Sequence, residues 1–205
     1  MNYLIFDYDG VLADTWEVGI HALVDQGIVR TYEEGRKHRL KHFCSKPIHQ
    51  RDEGIHNPQR LKEVKNISKR MNQFFVDQGY ELFDGFIEEL GKLENVAMAI
   101  VSSGAKVSIQ PNVQKMNLAF SHILTLEDGH SKEEKIRRVC RDWTVDVKDI
   151  LYFTDTLSDV FELETFMPKS NIIGCAWGYL GYEVLRQELT EKQILREPKD
   201  IHRVL

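Results

Sequence analysis

The stretch MNYLIFDYDGVLADT, residues 1–15, decides how this chain is read. Tyr3 to Phe6 are apolar, as in a strand buried on both faces. Asp7-Tyr8-Asp9-Gly10 follows at once, and then the apolar pair Val11-Leu12. Two carboxylates one residue apart at the end of a buried strand repel each other unless something offsets them. A bound cation is one such offset, and a shared chemical task is another.

Further apolar runs recur along the chain. VAMAIV (96–101), HILTL (122–126), DILYF (149–153) and NIIGCAW (171–177) each read as a buried strand. Helical spacing lies between most of them. Ile87, Leu90 and Leu93 fall on one face of residues 84–94. Ser131-Lys132-Glu133-Glu134 has the Ser-x-x-Glu pattern that opens a helix burying Ile136, Val139 and Cys140. Strands alternating with helices predict parallel βαβ units, hence an α/β sheet covered on both faces. One region breaks the alternation. Residues 14–80 carry helical patterns at 14–42 and 59–78 and no convincing strand, so they read as a helical insertion after the first strand. Asp84-Gly85 reads as the return hinge.

Composition narrows the classes. With 205 residues, 42% hydrophobic and 29% charged, the chain suits one large globular domain or a core with an insertion. No apolar run reaches the ~18 residues of a membrane span. The N-terminus lacks the basic start and cleavage site of a signal peptide. A net charge of −5 gives no reason to expect a nucleic-acid partner. Cys44, Cys140 and Cys175 are odd in number and far apart, matching neither a disulfide framework nor a zinc site, so a reducing cytoplasm is expected.

In open α/β sheets, ligands bind outside the carboxyl ends of the strands. Asp7 and Asp9 follow the first strand, Ser102-Ser103-Gly104 the second, and Asp155 and Asp159 the strand DILYF, while Lys132 opens a helix. Carboxylates hold Mg²⁺ together with waters and a substrate phosphate. A carboxylate can also attack phosphorus, and its neighbour can protonate the leaving oxygen. Hydroxyl, backbone N–H and ammonium groups steady the phosphoryl oxygens.

DYDGVLADT resembles the first motif of the haloacid dehalogenase-like superfamily in its phosphatase form, Asp-x-Asp-Gly-[Thr/Val]-Leu. AIVSSG resembles the second motif, Lys132 suits the third, and TDTLSD resembles the fourth. IIGCAWGYLGYEVL is similar to the segment after the fourth motif in phosphoglycolate-phosphatase-like members. The resemblance implies a Rossmann-like parallel-sheet core (1–13 and 81–205) with a small all-helical cap (14–80). It implies hydrolysis of small phosphate monoesters with Mg²⁺ as cofactor and a phosphorylated metabolite as substrate, by a monomer or homodimer. By position, Asp7 would be nucleophile and Mg²⁺ ligand. Asp9 would be general acid and base and give its backbone carbonyl to the metal. Asp155 would ligate the metal, and Asp159 would support the site. Ser102, with Ser103 and Gly104, and Lys132 would hold the phosphoryl group. Thr154 stands where a Gly is usual, and the third motif lacks the common Lys-Pro, which keeps Lys135 as a second candidate for that motif.

Plainer readings stand beside these. Asp-x-Asp-Gly is also a turn sequence. Ser103 rather than Ser102 could hold the phosphate, Lys132 could be a solvated first-turn residue, and Asp159 could cap a helix. The basic run His38, Arg39, Lys41, His42, Lys46, His49, Arg51 and His56 reads as solvated surface. Within it Arg51 is the best candidate for gripping an anionic leaving group. Trp16, Trp143 and Trp177 read as packing, and Phe74 and Phe75 as cap core. A phosphomutase using the same residues, or a regulatory module with an idle site, are the rival functions.

Overall fold

A computed structural model describes residues 1–47 and 58–205. A six-stranded sheet forms its centre. The strands are β1 (Asn2–Phe6), β4 (Val96–Val101), β5 (Phe120–Leu124), β6 (Ile150–Thr154), β7 (Ile172–Cys175) and β8 (Ile194–Leu195). Their order is β5-β4-β1-β6-β7-β8, and every pairing is parallel. Alternating side chains of β1 feed two cores, one on each face. Leu4 and Phe6 enter one and Ile5 the other, all fully enclosed. The Phe6 and Phe153 rings stack at 4.8 Å between β1 and β6. β5 ends at Leu124, two residues before the expected run, and Thr125 there turns the chain. The short edge strand β8 was not expected.

Register sets the site. Phe6 pairs with Ile100 on β4 and with Phe153 on β6, so these three strands end within one residue of one another. The Asp7 N–H donates to Phe153 O at 2.9 Å, extending the ladder by one residue. Asp7, Ser102 and Asp155 are thereby brought to one edge, on loops rooted in rigid strands.

Residues 14–80 contain three described helices, α1 (Trp16–Asp25), α2 (Tyr32–Phe43) and α3 (Pro58–Gln78). The helical pattern expected over 14–42 forms two helices, separated by residues 26–31. Gly27, with φ +65°, supplies the left-handed residue after α1. The chain enters the helices through β2 (Ala13–Asp14) and leaves through β3 (Glu81–Leu82), which pair antiparallel. The return therefore runs through Glu81–Leu82. Asp84-Gly85, expected to be the hinge, opens helix α4 (Asp84–Gly91) instead. Helix α5 (Lys106–Val113) follows β4, α6 (Lys132–Trp143) follows β5, and α7 (Leu157–Leu163) follows β6. Helices α8 (Gly181–Leu185) and α9 (Ile201–Val204) complete the chain. Ser131 caps α6 by accepting the Glu134 N–H, as its sequence pattern predicts.

Trp177 packs on Phe86, Trp143 on Tyr3, and Trp16 on Tyr179, so the three indoles serve packing. Phe75 is buried and Phe74 half-buried on α3.

Candidate active site

Asp7 sits in the first loop position after β1. Its Oδ1 accepts the Tyr8 N–H at 2.7 Å and its Oδ2 accepts the Lys132 ammonium at 2.7 Å. The same ammonium donates to Asp159 Oδ2 at 2.7 Å. Lys132 is thus a buried bridge between the first loop and α7, not a solvated first-turn residue. Lys135, one turn further along α6, donates instead to the backbone carbonyls of Ser102 (2.5 Å) and Thr125 (3.3 Å). It braces the loop after β4 and makes no hydrogen bond to Asp7.

Asp159 Oδ2 also accepts from Thr154 Oγ1 at 2.7 Å and Tyr152 OH at 3.0 Å. The Thr at 154 therefore has a task a Gly lacks. The Asp159 N–H is in turn held by Thr156 Oγ1 at the start of α7. Glu162 accepts the Lys132 N–H at 2.6 Å and so fixes the first turn of α6.

Asp9 faces the cavity from the other side of the loop. Thr15 Oγ1 donates to its Oδ1 at 2.7 Å, and Tyr179 OH hydrogen-bonds the same Thr15 hydroxyl. The Ser102 hydroxyl reaches the Asp9 carboxyl as well, and Ser102 Oγ accepts the Gly104 N–H at 2.9 Å. Ser102 is fully enclosed. Ser103, exposed, and Gly104 line the cavity. Gly10, at φ +78°, lets the loop fold tightly back so that its N–H reaches Ala13 O at 2.8 Å. A Cβ there would overlap the Asp155 carboxylate.

Asp155 is fully buried. Its Oδ2 accepts the Tyr179 N–H at 2.7 Å, whereas its Oδ1 is enclosed with no partner among the described residues. A buried carboxylate oxygen without a donor is costly unless a cation or proton meets it.

The charges conflict. Burial is the largest influence on Asp7 and, with the Asp159 and Asp9 charges, pushes it up to about 7 against the pull of Lys132. Burial also raises Asp9, opposed by Thr15, Arg39, Lys132 and Ser102. Burial and the Asp7 charge raise Asp155 well above the usual carboxylate range. Burial alone would lower Lys132, but Asp159 and Asp7 outweigh it and hold the ammonium above its ordinary value. Four carboxylates here face one ammonium. A divalent cation would reverse the upward pressure on the acids it touched. Among the described residues no three His, Cys, Asp or Glu side chains are grouped to hold a metal. The expected set needs only the Asp7 and Asp155 side chains with a backbone carbonyl, the sparse protein ligation Mg²⁺ commonly takes. The orphaned Asp155 Oδ1 fits that set.

Above these residues, between the sheet edge and the helices, lies a cavity of about 410 Å³. Asp7, Asp9 and Lys132 line its floor, and Arg39, Phe43 and Phe75 are among its walls. Arg51, His49 and His56 lie outside the described residues. His38, Lys41, His42 and Lys46 are exposed, as the solvated reading expects, but Arg39 is buried.

Sequence reasoning missed Thr15, Arg39 and Tyr179. Thr15 stood within the quoted first stretch. Gly35, Arg39 and Phe43 recur at a spacing of four, the one signal that α2 turns this Arg inward.

A family model for haloacid dehalogenase-like hydrolases matches residues 4–161. The chain belongs to that family. No curated protein matches it. Among solved structures it is similar to a predicted phosphatase from Clostridium acetobutylicum, with TM-score 0.72 and 21% identity, covering 98% of this chain and 96% of that one. A predicted phosphoglycolate phosphatase from Haemophilus somnus gives TM-score 0.68 at 17% identity, covering 100% and 97%. A hydrolase from Pseudomonas syringae gives 0.71 at 18%, covering 98% and 96%. At these identities the likeness speaks for the fold.

Proposed function

We propose that this chain hydrolyses small-molecule phosphate monoesters in the presence of Mg²⁺, through a phosphoryl group carried on Asp7. The observation that carries the reading is the buried Lys132 bridge. It ties the carboxylate that would attack to the one that would support it, at 2.7 Å each, on the floor of the cavity.

Asp7 attacks phosphorus, and the bond to the leaving oxygen breaks as Asp9 delivers a proton to that oxygen. Water then attacks the aspartyl phosphate while Asp9 takes a proton from it. Inorganic phosphate leaves and Asp7 is restored. Asp9 must be protonated in the first step and ionised in the second; burial raises its hold on the proton, and the Thr15 hydrogen bond and the Arg39 charge oppose that rise. Lys132 and the loop Ser102–Gly104 balance the phosphoryl oxygens. Mg²⁺, held by Asp7, Asp155 and the Asp9 carbonyl, would neutralise charge on the phosphate. The substrate is a small phosphorylated metabolite, and the location is cytoplasmic. No helix among the described residues is long and apolar enough to cross a membrane.

The test is phosphate release from a panel of phosphorylated metabolites with and without Mg²⁺, in the native protein and in Asp7→Asn. Release should need the metal and vanish in the variant, and trapped phosphate should be an acyl phosphate at Asp7. Labelling at a Ser or His, or no release from any compound, overturns the reading.

A further inference from the structure

Arg39 lies on α2 with 6% of its surface exposed. Its guanidinium sits against three rings, 5.1 Å from Trp16, 5.1 Å from Phe43 and 4.8 Å from Tyr179. Gly19 makes room for it, since a Cβ there would overlap Nη1. Its one hydrogen bond among the described residues is long, from Nη2 to the Thr15 carbonyl at 3.4 Å. Nε is enclosed with no acceptor among the described residues. No carboxylate lies within ion-pair distance of it among the described residues. A buried cation is rarely left this way, because the rings offset only part of its lost hydration.

Its position gives the missing partner a chemistry. Arg39 lines the same cavity as Asp7 and Asp9. It holds the backbone of Thr15, whose hydroxyl holds the Asp9 carboxyl, so it stands beside the place where the leaving oxygen takes its proton. The described helical wall of that cavity contributes His38, Arg39, His42, Arg60 and Lys65 and no carboxylate. A basic roof faces an acidic floor. Packed among these rings, the guanidinium carries a charge that no carboxylate meets among the described residues, and a carboxylate or phosphate reaching it through the cavity would supply the missing anion.

We infer that Arg39 is a specificity-determining residue that receives a second oxyanion, carried on the alcohol portion of the substrate close to the leaving oxygen. This rests on the phosphatase reading above. The phosphoryl oxygens would be taken by the floor and the second oxyanion by the roof, so a monoester with a neutral alcohol fills only half of the charge pattern.

The experiment compares short alkyl phosphates that differ only in a terminal carboxylate, phosphate or carboxamide, with p-nitrophenyl phosphate as a neutral reference. In the native enzyme, kcat/KM should favour an oxyanion-bearing member over its carboxamide by about thirtyfold or more. The carboxylate and phosphate arms decide which oxyanion is preferred. Arg39→Met should erase that preference, chiefly through KM, and Arg39→Lys should keep part of it, because it retains the charge without the fork. If Arg39→Met does not fold by circular dichroism, Arg39→Lys alone carries the comparison. The affinities of the same compounds for Asp7→Asn, with and without the Arg39 change, give the ratio without turnover. Equal losses across all substrates, or no preference in the native enzyme and in binding, overturn the inference. A binding preference that disappears with Arg39, without phosphate release from any compound, would leave the inference standing and sink the phosphatase reading.

Discussion

Lys132 donates to Asp159 across 2.7 Å, and the same nitrogen donates to Asp7 at 2.7 Å. Three segments far apart in sequence are thus held by one buried ammonium. Removing it leaves two buried carboxylates facing each other. Lys132→Met should lower kcat by about 10²–10³ and stability at pH 9, where Asp7 is ionised, by about 3–5 kcal/mol. The stability loss should shrink as pH falls toward 7, because Asp7, pushed up to about 7 even beside Lys132, holds its proton more tightly without that ammonium. Steady-state kinetics and urea unfolding at pH 7 and pH 9 check this. An undiminished kcat would remove Lys132 from the mechanism.

Lys135 gives the opposite signature. Burial, helped by the charge of Lys132, lowers it to about 8 from the model-peptide 10.5. Between these values the unfolded chain binds a proton that the folded chain does not, so stability rises with pH across about 8 to 10.5. Below pH 8 both states are protonated and the cost of burying the charge is present in full. Lys135→Met should flatten that rise relative to the native protein in urea midpoints measured from pH 7 to pH 10. A parallel pair of curves would show that Lys135 keeps an ordinary proton affinity.

The sheet was legible because strands buried on both faces, such as NYLIF and VAMAIV, are continuous apolar runs with no other use. β8 was not, since two residues pairing with β7 at the edge leave no run to read. The loop residues Asp7, Asp9, Ser102 and Asp155 were legible because strand ends locate them, whatever the helices do. Arg39 was hidden inside Arg-Lys-His-Arg-Leu-Lys-His, a run with the composition of a wet surface. Its burial depends on rings from residues 16, 43 and 179, a convergence no local pattern contains. Tyr179 was quoted within a resembling segment, but its reach to Thr15 exists only in three dimensions.

Asn72 ties the helical region to the loop after β4. From α3, its Oδ1 accepts the Ala105 N–H at 2.8 Å and the Ser108 hydroxyl at 2.6 Å, next to Gly104. Asn72→Ala should strand the buried Ala105 N–H, while the Ser108 hydroxyl keeps the Ala105 carbonyl at 3.0 Å as its acceptor, and should cost about 1–3 kcal/mol. Hydrogen exchange should quicken at residues 102–108 and in α3, with KM for phosphate monoesters rising. Unchanged exchange there would mean that water or a neighbouring group replaces the amide oxygen.

Thr15 tests the acid from behind. Its hydroxyl donates to Asp9 Oδ1 at 2.7 Å, and that hydrogen bond lowers the proton affinity that burial raises. Thr15→Val keeps the shape and removes the hydroxyl. Asp9 should then hold its proton more tightly, which favours the first chemical step and hinders the second. Turnover should fall by about tenfold to a hundredfold, part of what acid–base catalysis supplies, and stability by about 1 kcal/mol. The phosphorylated enzyme should accumulate, because its hydrolysis needs Asp9 ionised. Rapid-quench measurement of the acyl phosphate, with an aryl phosphate as donor, separates the steps. Slower phosphorylation with no accumulation would mean that Thr15 positions Asp9 for proton delivery and leaves its ionisation alone.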